Sequence, residues 1–583
     1  MRFTFLQGLL YLFNITTAAL LIYDLGFFQG HPFQVWADVG YLLLASGSLV
    51  LTILRNQTEL PPRSRDRAGI GLLIAILLPC TFAALRDVMP FLFPYVLHVE
   101  QVYLVLVFIY LVYAFSRATR LLYSGSINAM LLFAGSFAIL IFLGSFLLTL
   151  PQATVGDISY INALFTATSA VSVTGLTVMD TGSDFTLFGQ SVILGLIQLG
   201  GVGILTFTTF FTYFFQSGGS FREGMYIRDM ISSETLGNVL ELAARIVGFT
   251  IGVEFVGAIL IFWSIQPYAT DLGFGEKLFF SVFHSISGFC NAGFSTLHDS
   301  LYEGAWRYNY GFHWIIALLL IIGGLGFKII FNSYLYMKTF LKKIFNWTIH
   351  KTPMIMPVRL ITLNAQIVLI TTAILIGAGT LVFFLTEFNN SLTEHHTLWG
   401  KFTTAFFLSV TPRTAGFNTV NVAALTTPTI MITLLFMWIG ASPGSTGGGI
   451  KTSTFALATL NIIAIARGKR RIELASRQIS SLAVNRAFAI LSLSLVVLGF
   501  SVFFVSIFEP QLGLMKVAFE CFSAFGTVGL SLGITNTLST PSKIVLILTM
   551  FTGRIGAINI LVGMLRQVNT EYYHYPKENI LIN

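Results

Sequence analysis

VSVTGLT (171–177) is a short segment centred on a glycine, and the chain repeats its pattern three more times. The other copies are FCNAGFS (289–295), PRTAGFN (412–418) and GTVGLSL (526–532). In each copy a Leu or Phe follows the glycine directly, and the four glycines lie 118, 123 and 113 residues apart. A phenylalanine lies ten residues before each glycine, at Phe165, Phe283, Phe406 and Phe519. Repetition at a near-constant period predicts four structural copies of one element.

The composition is that of an integral membrane protein. Of the 583 residues, 55% are hydrophobic and 10% are charged, and the mean hydropathy is +0.80. A water-soluble protein of this length needs more polar surface than this composition supplies. Apolar runs such as 128–150 and 367–384 have the length of a membrane-spanning helix and lack the alternation of a barrel strand. We therefore predict an all-α membrane protein.

The apolar runs predict twelve spanning helices. They lie near residues 5–23, 38–54, 69–86, 101–115, 128–150, 189–215, 246–265, 312–331, 362–386, 429–450, 487–508 and 543–566. Lys and Arg gather in the even-numbered connections, as in RGKRR at 467–471, so both termini are expected in the cytoplasm. This orientation signal accounts for the net charge of +8 without nucleic-acid binding. No small-residue cleavage pattern follows the first run, which we interpret as a span and not as a signal peptide.

A short amphipathic segment precedes each glycine segment, as in INALFTATSAV (161–171) and LFFSVFHSISG (278–288). Such segments of about 10–14 residues are too short to cross the hydrocarbon, so each is expected to re-enter from the outer side. Irregular backbone at membrane depth is stable only inside protein or beside a watery path. The glycine segments are therefore expected to line a pathway.

The glycine segments have the chemistry of a site for a monovalent cation. Glycine adopts backbone angles that let successive carbonyls point to one axis and replace the hydration shell of an ion. A divalent ion would favour converging carboxylates, and none of the four segments contains one. Any single glycine could instead mark a helix contact or a tight turn. The candidate ion-binding residues are Val173, Thr174, Gly175, Asn291, Ala292, Gly293, Thr414, Ala415, Gly416, Thr527, Val528 and Gly529.

The elements VTGL, NAGF, RTAGF and TVGLS occur in this order, and IQLGGVGIL (197–205) and IIGGLGF (321–327) lie on the helices that follow the first two. Together they resemble the Trk/Ktr/HKT superfamily of potassium transporters over roughly residues 128–570. The resemblance implies four helix, pore-helix, helix repeats around one pore, with the four glycines in a selectivity filter. It also implies K⁺ as the ion at the filter carbonyls, because family members with serine in the first element favour Na⁺ and this chain has Gly175 there.

GASPGSTGGGIK (440–451) interrupts the predicted tenth helix with five glycines and a proline. A broken helix at this depth is expected to lie within protein or against the ion path, where small polar side chains can obstruct it. A cytoplasmic loop past the helix end is the alternative. SPGSTGGGIKT (442–452) resembles the intramembrane gating loop of Ktr-type subunits, which favours a gate. Its candidate residues are Ser442, Pro443, Gly444, Ser445, Thr446, Gly447, Gly448, Gly449 and Lys451.

Three further charged residues are candidates within the membrane. Arg554 lies midway along the last predicted helix, where an unpaired charge is expensive. A cation beside a cation path opposes permeation, so we assign Arg554 to the gate, with a structural ion pair as the alternative. Arg413 lies three residues before Gly416, and Glu520 lies in the fourth re-entrant segment. We predict that these two form an ion pair that braces the filter.

The remaining polar and sulfur-containing candidates favour structural roles. Cys80, Cys290 and Cys521 lie in apolar surroundings without paired spacing, which predicts neither disulfides nor a transition-metal site. His284 and His298 flank the second glycine segment and are interpreted as structural histidines. Glu254 in the seventh predicted helix has no assigned role. Lys328 is interpreted as reaching toward the inner interface.

The repeat boundaries divide the chain into an N-terminal module and four pore repeats. The predicted divisions are 1–125 for a module of four extra helices, then 126–240, 241–358, 359–485 and 486–583 for the repeats and C-terminal tail. A voltage sensor is disfavoured, because the fourth helix carries only Arg117 and Arg120, both at its cytoplasmic end. We expect a scaffolding role or a subunit contact for this module.

The predicted function is K⁺ translocation across the cytoplasmic or inner membrane. An ion-coupled symporter or a Na⁺-permeable relative is the alternative, with Na⁺ or H⁺ as the coupling ion or Na⁺ as an activator. A membrane-embedded enzyme is disfavoured, since no carboxylate/His or Ser/His pair occurs at helical spacing within a span. The resemblance implies a homodimer in the lipid bilayer and a separate cytosolic nucleotide-binding ring, because this chain has no GxGxxG after a predicted strand.

Overall fold

The structure, a computed structural model, is almost entirely helical in the part of the chain that it describes. It describes residues 5–27, 31–58, 66–88, 102–107, 109–111, 113–114, 129–203, 239–345, 361–469, 471–474 and 477–565. One small hairpin pairs strand β1 (Glu473–Leu474) with the antiparallel strand β2 (Arg477–Gln478). The second half of the predicted sixth span, residues 346–360 and the residues after 565 lie outside the described ranges.

The N-terminal helices pack on one another around a small core of their own. They are α1 (Phe5–Gly26), α2 (His31–Thr58), α3 (Arg67–Val88) and the helical residues 102–107, 109–111 and 113–114. Tyr41, Leu73, Ile76 and Cys80 are buried between them. Gln152 connects them to the rest of the protein, because its amide N–H donates to the carbonyl of Gly26 at 3.0 Å.

The rest of the chain forms four groups, each with a long helix, a short helix and a third helix. The first group is α4 (Ala129–Leu148), α5 (Tyr160–Val171) and α6 (Leu187–Val202). The second is α7 (Val239–Ser264), α8 (Phe274–Phe289), α9 (Tyr310–Leu325) and its extension α10 (Phe327–Phe345). The third is α11 (Leu363–Glu387), α12 (Leu398–Val410), α13 (Thr427–Trp438) and α14 (Thr452–Ala466). The fourth is α15 (Ser481–Phe508), α16 (Leu514–Gly526), α17 (Thr540–Ile555) and α18 (Ala557–Met564).

The short helices α5, α8, α12 and α16 lie directly before the four glycine segments. They contain 12, 16, 13 and 13 residues, too few to cross the membrane as a helix. Side-chain caps start two of them: the hydroxyl of Ser159 accepts from the Asn162 amide, and the hydroxyl of Thr397 accepts from the Gly400 amide at 3.0 Å. The short amphipathic segments read from the sequence are therefore helices.

In three of the four groups the third helix ends at a glycine inside a predicted span. Gly203, Gly326 and Gly556 have φ of +83°, +86° and +88°, and α6, α9 and α17 end directly before them. The chain bends by 104° between α9 and α10 and by 85° between α17 and α18. The predicted uninterrupted spans at 312–331 and 543–566 are therefore wrong, because a glycine with a left-handed φ ends the helix.

The lengths of the described helices test only part of the prediction of twelve spans. Six are long and apolar enough to cross a membrane, or eight if each bent pair counts as one span. These helices make the chain a multi-pass membrane protein. The total of twelve spans and the division into one module and four repeats stay predictions, since the divisions at 125/126 and 358/359 lie outside the described residues.

The phenylalanine pattern is displaced by one residue in the third group. Phe165, Phe283 and Phe519 are fully buried, as expected for equivalent positions. In α12 the buried ring is Phe407, whereas Phe406 is half-buried and stacks on Trp314 at 4.6 Å between ring centroids. In the third copy the fully buried phenylalanine therefore lies one residue closer to its glycine than in the other copies.

Candidate functional site

The four glycine segments meet in one closed ring. A Cβ added to Gly175 would lie 3.1 Å from the Cα of Gly293, and one added to Gly293 would lie 3.0 Å from the Cα of Gly416. A Cβ added to Gly416 would lie 3.1 Å from the Cα of Gly529, and one added to Gly529 would lie 3.0 Å from the Cα of Gly175. Each glycine packs on the next in chain order, and the fourth returns to the first. We call these four residues the glycine ring, in which no side chain has room.

Left-handed backbone angles recur at two positions of every segment. The ring glycines have φ of +85°, +73°, +80° and +93° in chain order. The residue two positions earlier is also left-handed, at Val173 (+57°), Asn291 (+60°), Thr414 (+70°) and Thr527 (+49°). This conformation costs a residue with a side chain about 1–2 kcal/mol and persists where the surroundings hold it. Alternating left-handed and ordinary angles turn successive carbonyls toward the same side of the chain.

The residue before each ring glycine donates a hydrogen bond from its backbone N–H, while its carbonyl oxygen accepts none among the described residues. Each amide N–H donates to the end of its own short helix: Thr174 to Ser169 O (2.8 Å), Ala292 to Ser287 O (2.8 Å), Ala415 to Thr411 O (3.0 Å) and Val528 to Ser523 O (2.9 Å). No donor among the described residues reaches the carbonyl oxygens of these four residues. Each of these oxygens lies beside the glycine of the neighbouring segment. Buried carbonyls without a partner are ready to bind a cation.

The short helices place four negative dipole ends next to the glycine ring. The last residues of α5, α8, α12 and α16 precede their ring glycine by three to six residues. The C-terminus of a helix carries roughly half a negative elementary charge, because its last carbonyls have no intrahelical partner. Four such ends around one ring stabilise a positive charge at its centre.

A cavity of about 630 Å³ opens on one side of the glycine ring. Its walls come from the residues that follow each ring glycine, and they include the acidic residues Asp180, Asp184 and Asp299. His298 lies at this wall with its Nδ1 atom 2.5 Å from a carboxylate oxygen of Asp180. The described residues contain no group of three or more His, Cys, Asp or Glu that could hold a metal ion. The cavity therefore places acidic side chains next to the ring.

Residues 439–451, between α13 and α14, lie against the opposite side of the ring. This loop contacts the residues that precede the ring glycines: the Gly448 amide donates to the Thr527 hydroxyl at 2.9 Å, and Gly447 packs on the Thr414 hydroxyl. Ser442 and Thr446 in the loop are fully buried. The helix break at 440–451 is thus a loop buried within the protein. We call it the 439–451 loop.

Two cationic side chains hold the 439–451 loop. The Lys451 ammonium donates to the carbonyl of Gly447 at 2.7 Å. The Arg554 guanidinium donates to the carbonyl of Thr446 in the loop and to the carbonyl of Gly200 at the end of α6. Neither cation forms an ion pair with a carboxylate of the described residues, so the alternative of a structural ion pair for Arg554 is wrong. Arg554 instead clips the loop to the first group of helices.

The breaks in the third helices bring them close to the ends of the short helices. A Cβ added to Gly200 would lie 2.8 Å from the carbonyl carbon of Val171. A Cβ added to Gly553 would lie 2.8 Å from the carbonyl carbon of Phe525, and one added to Gly323 would lie 3.0 Å from the carbonyl carbon of Phe289. The signal for these contacts is the repeated pattern GGVG (200–203), GGLG (323–326) and GRIG (553–556). The first two of these segments are part of the family resemblance, but the contacts that they make were not predicted from the sequence.

The predicted ion pair between Arg413 and Glu520 is wrong. Glu520 is fully buried and accepts hydrogen bonds from the hydroxyls of Ser531 and Thr535, the latter at 3.1 Å. Arg413 is also buried, and its guanidinium lies 3.5 Å from the Thr372 hydroxyl on α11. The carboxylate is satisfied by hydroxyl groups of its own segment, so it has no need of the arginine. Glu520 braces the residues that follow Gly529, without Arg413.

Two other buried carboxylates cap third helices far from the loop. Glu387, at the end of α11, accepts from the amide of Thr426 (3.0 Å), which precedes α13. Glu509, after α15, accepts from the amide of Ser539 and the hydroxyl of Ser542, at 2.6 Å and 3.0 Å. Burial raises the pKa of Glu509, but these hydrogen bonds outweigh it and hold this pKa below its ordinary value. Both carboxylates stabilise helix starts.

The cysteines and histidines have the structural character expected of them, with one exception. Cys80, Cys290 and Cys521 are free and buried. His284 is fully buried, and its two ring nitrogens lie 2.9 Å from the Ser295 hydroxyl and the Phe280 carbonyl. The exception is Cys290, whose thiol contacts polar side chains behind the ring.

Known proteins resemble this chain in sequence and in fold. A family model described as "Cation transport protein" (TrkH) matches residues 101–572. The Ktr system potassium uptake protein B of Bacillus subtilis (strain 168) is 36% identical over 441 residues, which cover 75% of this chain and 93% of that protein. The potassium/sodium uptake protein NtpJ of Enterococcus hirae is 35% identical over 458 residues, covering 77% and 96%. The crystal structure of the potassium transporter TrkH from Vibrio parahaemolyticus shares the fold, with a TM-score of 0.59, 16% identity and coverage of 91% of this chain and 98% of that one.

A multi-pass helical fold around a ring of free carbonyls, matched by a cation-transport family, defines a membrane transport protein and not an enzyme. The chain belongs to the TrkH family of cation transport proteins, because the family model matches most of its length. The resemblance to the Trk/Ktr/HKT superfamily that the glycine segments indicate is thereby confirmed.

Proposed function

We propose that this chain conducts K⁺ across the cytoplasmic membrane through the glycine ring, with the 439–451 loop and Arg554 as its gate. The observation that carries the proposal is the closed ring of four left-handed glycines beside four carbonyls without hydrogen-bond partners. Such carbonyls substitute for the water around an ion as it passes. The names of the relatives, potassium uptake and potassium/sodium uptake proteins, favour K⁺ and leave Na⁺ as a second ion.

The charge of the ring favours monovalent cations. The ring region has carbonyl oxygens and helix C-termini but no carboxylate in its four segments. Neutral dipoles bind a monovalent ion weakly enough to release it, which fast passage requires. The acidic cavity, on the side of the ring opposite the 439–451 loop, concentrates cations before they enter the ring. We assign this cavity to the outer side, with both termini in the cytoplasm.

The position of the 439–451 loop supports its assignment as the gate. It occupies the space directly beneath Thr414 and Thr527, on the side of the ring away from the cavity. Arg554 and Lys451 add positive charge at that place, which opposes a passing cation. Opening then requires the loop to leave the axis and Arg554 to release the Thr446 carbonyl. In this proposal the assembly is a homodimer, and a cytosolic nucleotide-binding ring supplies the force for opening.

Rubidium flux into liposomes tests the proposal. The purified chain should take up radioactive Rb⁺, and Arg554→Gln should raise the rate because the loop loses its clip. Imposed Na⁺ and pH gradients separate a passive pathway from symport, since only a symporter would accumulate Rb⁺ against its own gradient. Absence of flux from both the intact chain and the Arg554→Gln variant would contradict the proposal, because a closed gate cannot explain both results.

A further inference from the structure

Glu254 is a buried carboxylate at the centre of a polar cluster behind the glycine ring. It lies on α7 with 7% of its surface exposed. Its side chain accepts a hydrogen bond from the Gln198 amide of α6 at 2.9 Å. The thiol of Cys290 lies 3.8 Å from its other oxygen and 3.6 Å from the Gln198 carbonyl oxygen. A helix of the second group is thus joined to the third helix of the first group.

The cluster is fixed on both of its outer sides. The Ser285 hydroxyl of α8 donates to the backbone carbonyl of Glu254 at 2.6 Å. Cys290 directly precedes Asn291, the left-handed residue of the second glycine segment. A Cβ added to Gly201 would lie 2.9 Å from the Cβ of Cys290, so the cysteine packs on the broken end of α6. The cluster therefore holds the end of α6 against the second segment.

The end of α6 is where the gate arginine is anchored. Gly200 precedes Gly201, and its carbonyl accepts one of the two hydrogen bonds that Arg554 donates. The other bond holds the Thr446 carbonyl of the 439–451 loop. A continuous path of contacts therefore runs from Glu254 through Gln198 and Cys290 to the anchor of Arg554.

A carboxylate is a costly choice for this position. Burying a carboxylate without an ion pair is unfavourable, and a neutral amide could fill the same volume. The described ion pairs do not include Glu254. A carboxylate has two acceptor oxygens where an amide has one. One oxygen of Glu254 accepts from the Gln198 amide, and the other lies beside the Cys290 thiol. These two contacts favour the arrangement in which Arg554 clips the loop.

We propose that Glu254 is a positioning residue of the gate, which holds the Gly200 carbonyl in place for Arg554 through Gln198 and Cys290. This inference rests on the proposed function of Arg554 in closing the pathway. Loss of the carboxylate frees the end of α6, weakens the clip and lets the loop leave the axis more often. Glu254→Gln should therefore raise the flux, and only while Arg554 is present.

A double-mutant cycle on the full chain in liposomes tests this role. Arg554→Gln should raise Rb⁺ flux roughly tenfold, since two charge-assisted hydrogen bonds are lost. Glu254→Gln should raise it about threefold in the Arg554 background and leave it unchanged in the Arg554→Gln background. Glu254→Asp keeps both acceptor oxygens and should retain part of the closure. Glu387→Gln is the matched control, because Glu387 is equally buried but caps α13 and should leave the flux unchanged.

The outcomes separate this role from its alternatives. A Glu254→Gln protein whose flux falls equally in both backgrounds overturns the proposal, because the carboxylate would then act on the permeant ion itself. A flux that changes alike in the Glu254→Gln and Glu387→Gln proteins, in step with their thermal unfolding, also overturns it. Arg554→Gln without effect overturns the proposed gate instead. If Glu254→Gln does not assemble, Gln198→Met removes the same bond and should raise the flux equally; an unchanged flux overturns the role.

Discussion

The glycine ring and the 439–451 loop lie on each other, yet they are built on opposite principles. The ring takes one equivalent segment from each of four groups, with the same backbone angles in each. The loop comes from the third group alone, and the other groups hold it through Thr527, Phe289 and Arg554. Coordination of an ion on an axis needs equal oxygens on all sides, whereas obstruction needs only one element that can move.

The two regions also differ in how tightly they are held. Ring segments pack so closely that a Cβ would meet the backbone of the next segment. Gly447 and Gly448 of the loop pack on side-chain hydroxyls of Thr414 and Thr527, and separate hydrogen bonds of about 1 kcal/mol each add to these contacts. Backbone packed on backbone preserves a fixed geometry, whereas contacts to side chains and separate hydrogen bonds can be released. The difference favours selection in the ring and gating in the loop.

The largest expected effect comes from filling the ring. Gly416→Ala places a Cβ 3.1 Å from the Cα of Gly529 and against the carbonyl of Val528, at a φ of +80°. We expect Rb⁺ flux to fall roughly 100-fold, since displacing the ring costs about 3 kcal/mol in barrier height. Gly304→Ala is the matched control, because Gly304 also has a positive φ but faces open space. Equal losses in the two variants would mean that backbone strain, and not the ring, limits the flux.

The next effect in size comes from removing the loop. Ile439 and Ile450 are bridged, so deletion of residues 443–449 can be closed without moving α13 or α14. We expect Rb⁺ flux to rise about tenfold, because the bonds that hold the loop beneath the ring are lost. The ratio of Rb⁺ to Na⁺ flux, measured in the same liposomes, should stay as in the intact chain. A changed ratio would show that the loop takes part in selection.

A smaller effect is expected from the carboxylate behind the fourth segment. Glu520→Gln weakens the bonds from Ser531 and Thr535 that hold the residues after Gly529. We expect the ratio of Rb⁺ to Na⁺ flux to fall about threefold, since roughly 1 kcal/mol of support for one of four segments is lost. Arg413→Gln should leave the ratio unchanged, because Arg413 does not pair with Glu520. An equal fall of this ratio in both variants would indicate that Arg413 and Glu520 act together as an ion pair, and would contradict this account.

The smallest effect is expected from one hydroxyl at the contact between ring and loop. Thr527→Val keeps the shape of the side chain but removes the acceptor of the Gly448 amide. Flux should rise about twofold, because the closed state loses one neutral hydrogen bond. Thr411→Val is the comparison, since its hydroxyl donates to the Phe417 carbonyl within one segment and does not touch the loop. A rise in flux for Thr411→Val as well would mean that the ring itself had loosened.

The sequence predicts the ring and the loop well because each has a local signal. Four matched glycines and a run of five glycines with a proline force non-helical backbone wherever they occur. The short helices follow from length alone, since about 10–14 apolar residues cannot span a bilayer. The bends after Leu325 and Ile555 were missed because hydropathy does not change there, and only the φ of one glycine does.

Side-chain partners were harder to predict than backbone shape. Arg413 and Glu520 carry opposite charges near the ring, yet Ser531 and Thr535 already satisfy the carboxylate. Glu254 has no sequence signal for its role, because Gln198 and Cys290 are 56 and 36 residues away along the chain. The partner of Arg554, the backbone carbonyl of Gly200, has no side chain to mark it. Contacts to backbone carbonyls depend on how the helices pack, which hydropathy does not record.

The central claim is that the glycine ring selects the ion and the 439–451 loop only controls access. Rb⁺ and Na⁺ fluxes through Gly175→Ser and Arg554→Gln, measured in the same liposomes, test it most directly. The account predicts that Gly175→Ser lowers the ratio of Rb⁺ to Na⁺ flux, and that Arg554→Gln raises both fluxes with the ratio unchanged. A Gly175→Ser protein with the original ratio, or an Arg554→Gln protein with an altered one, would contradict it.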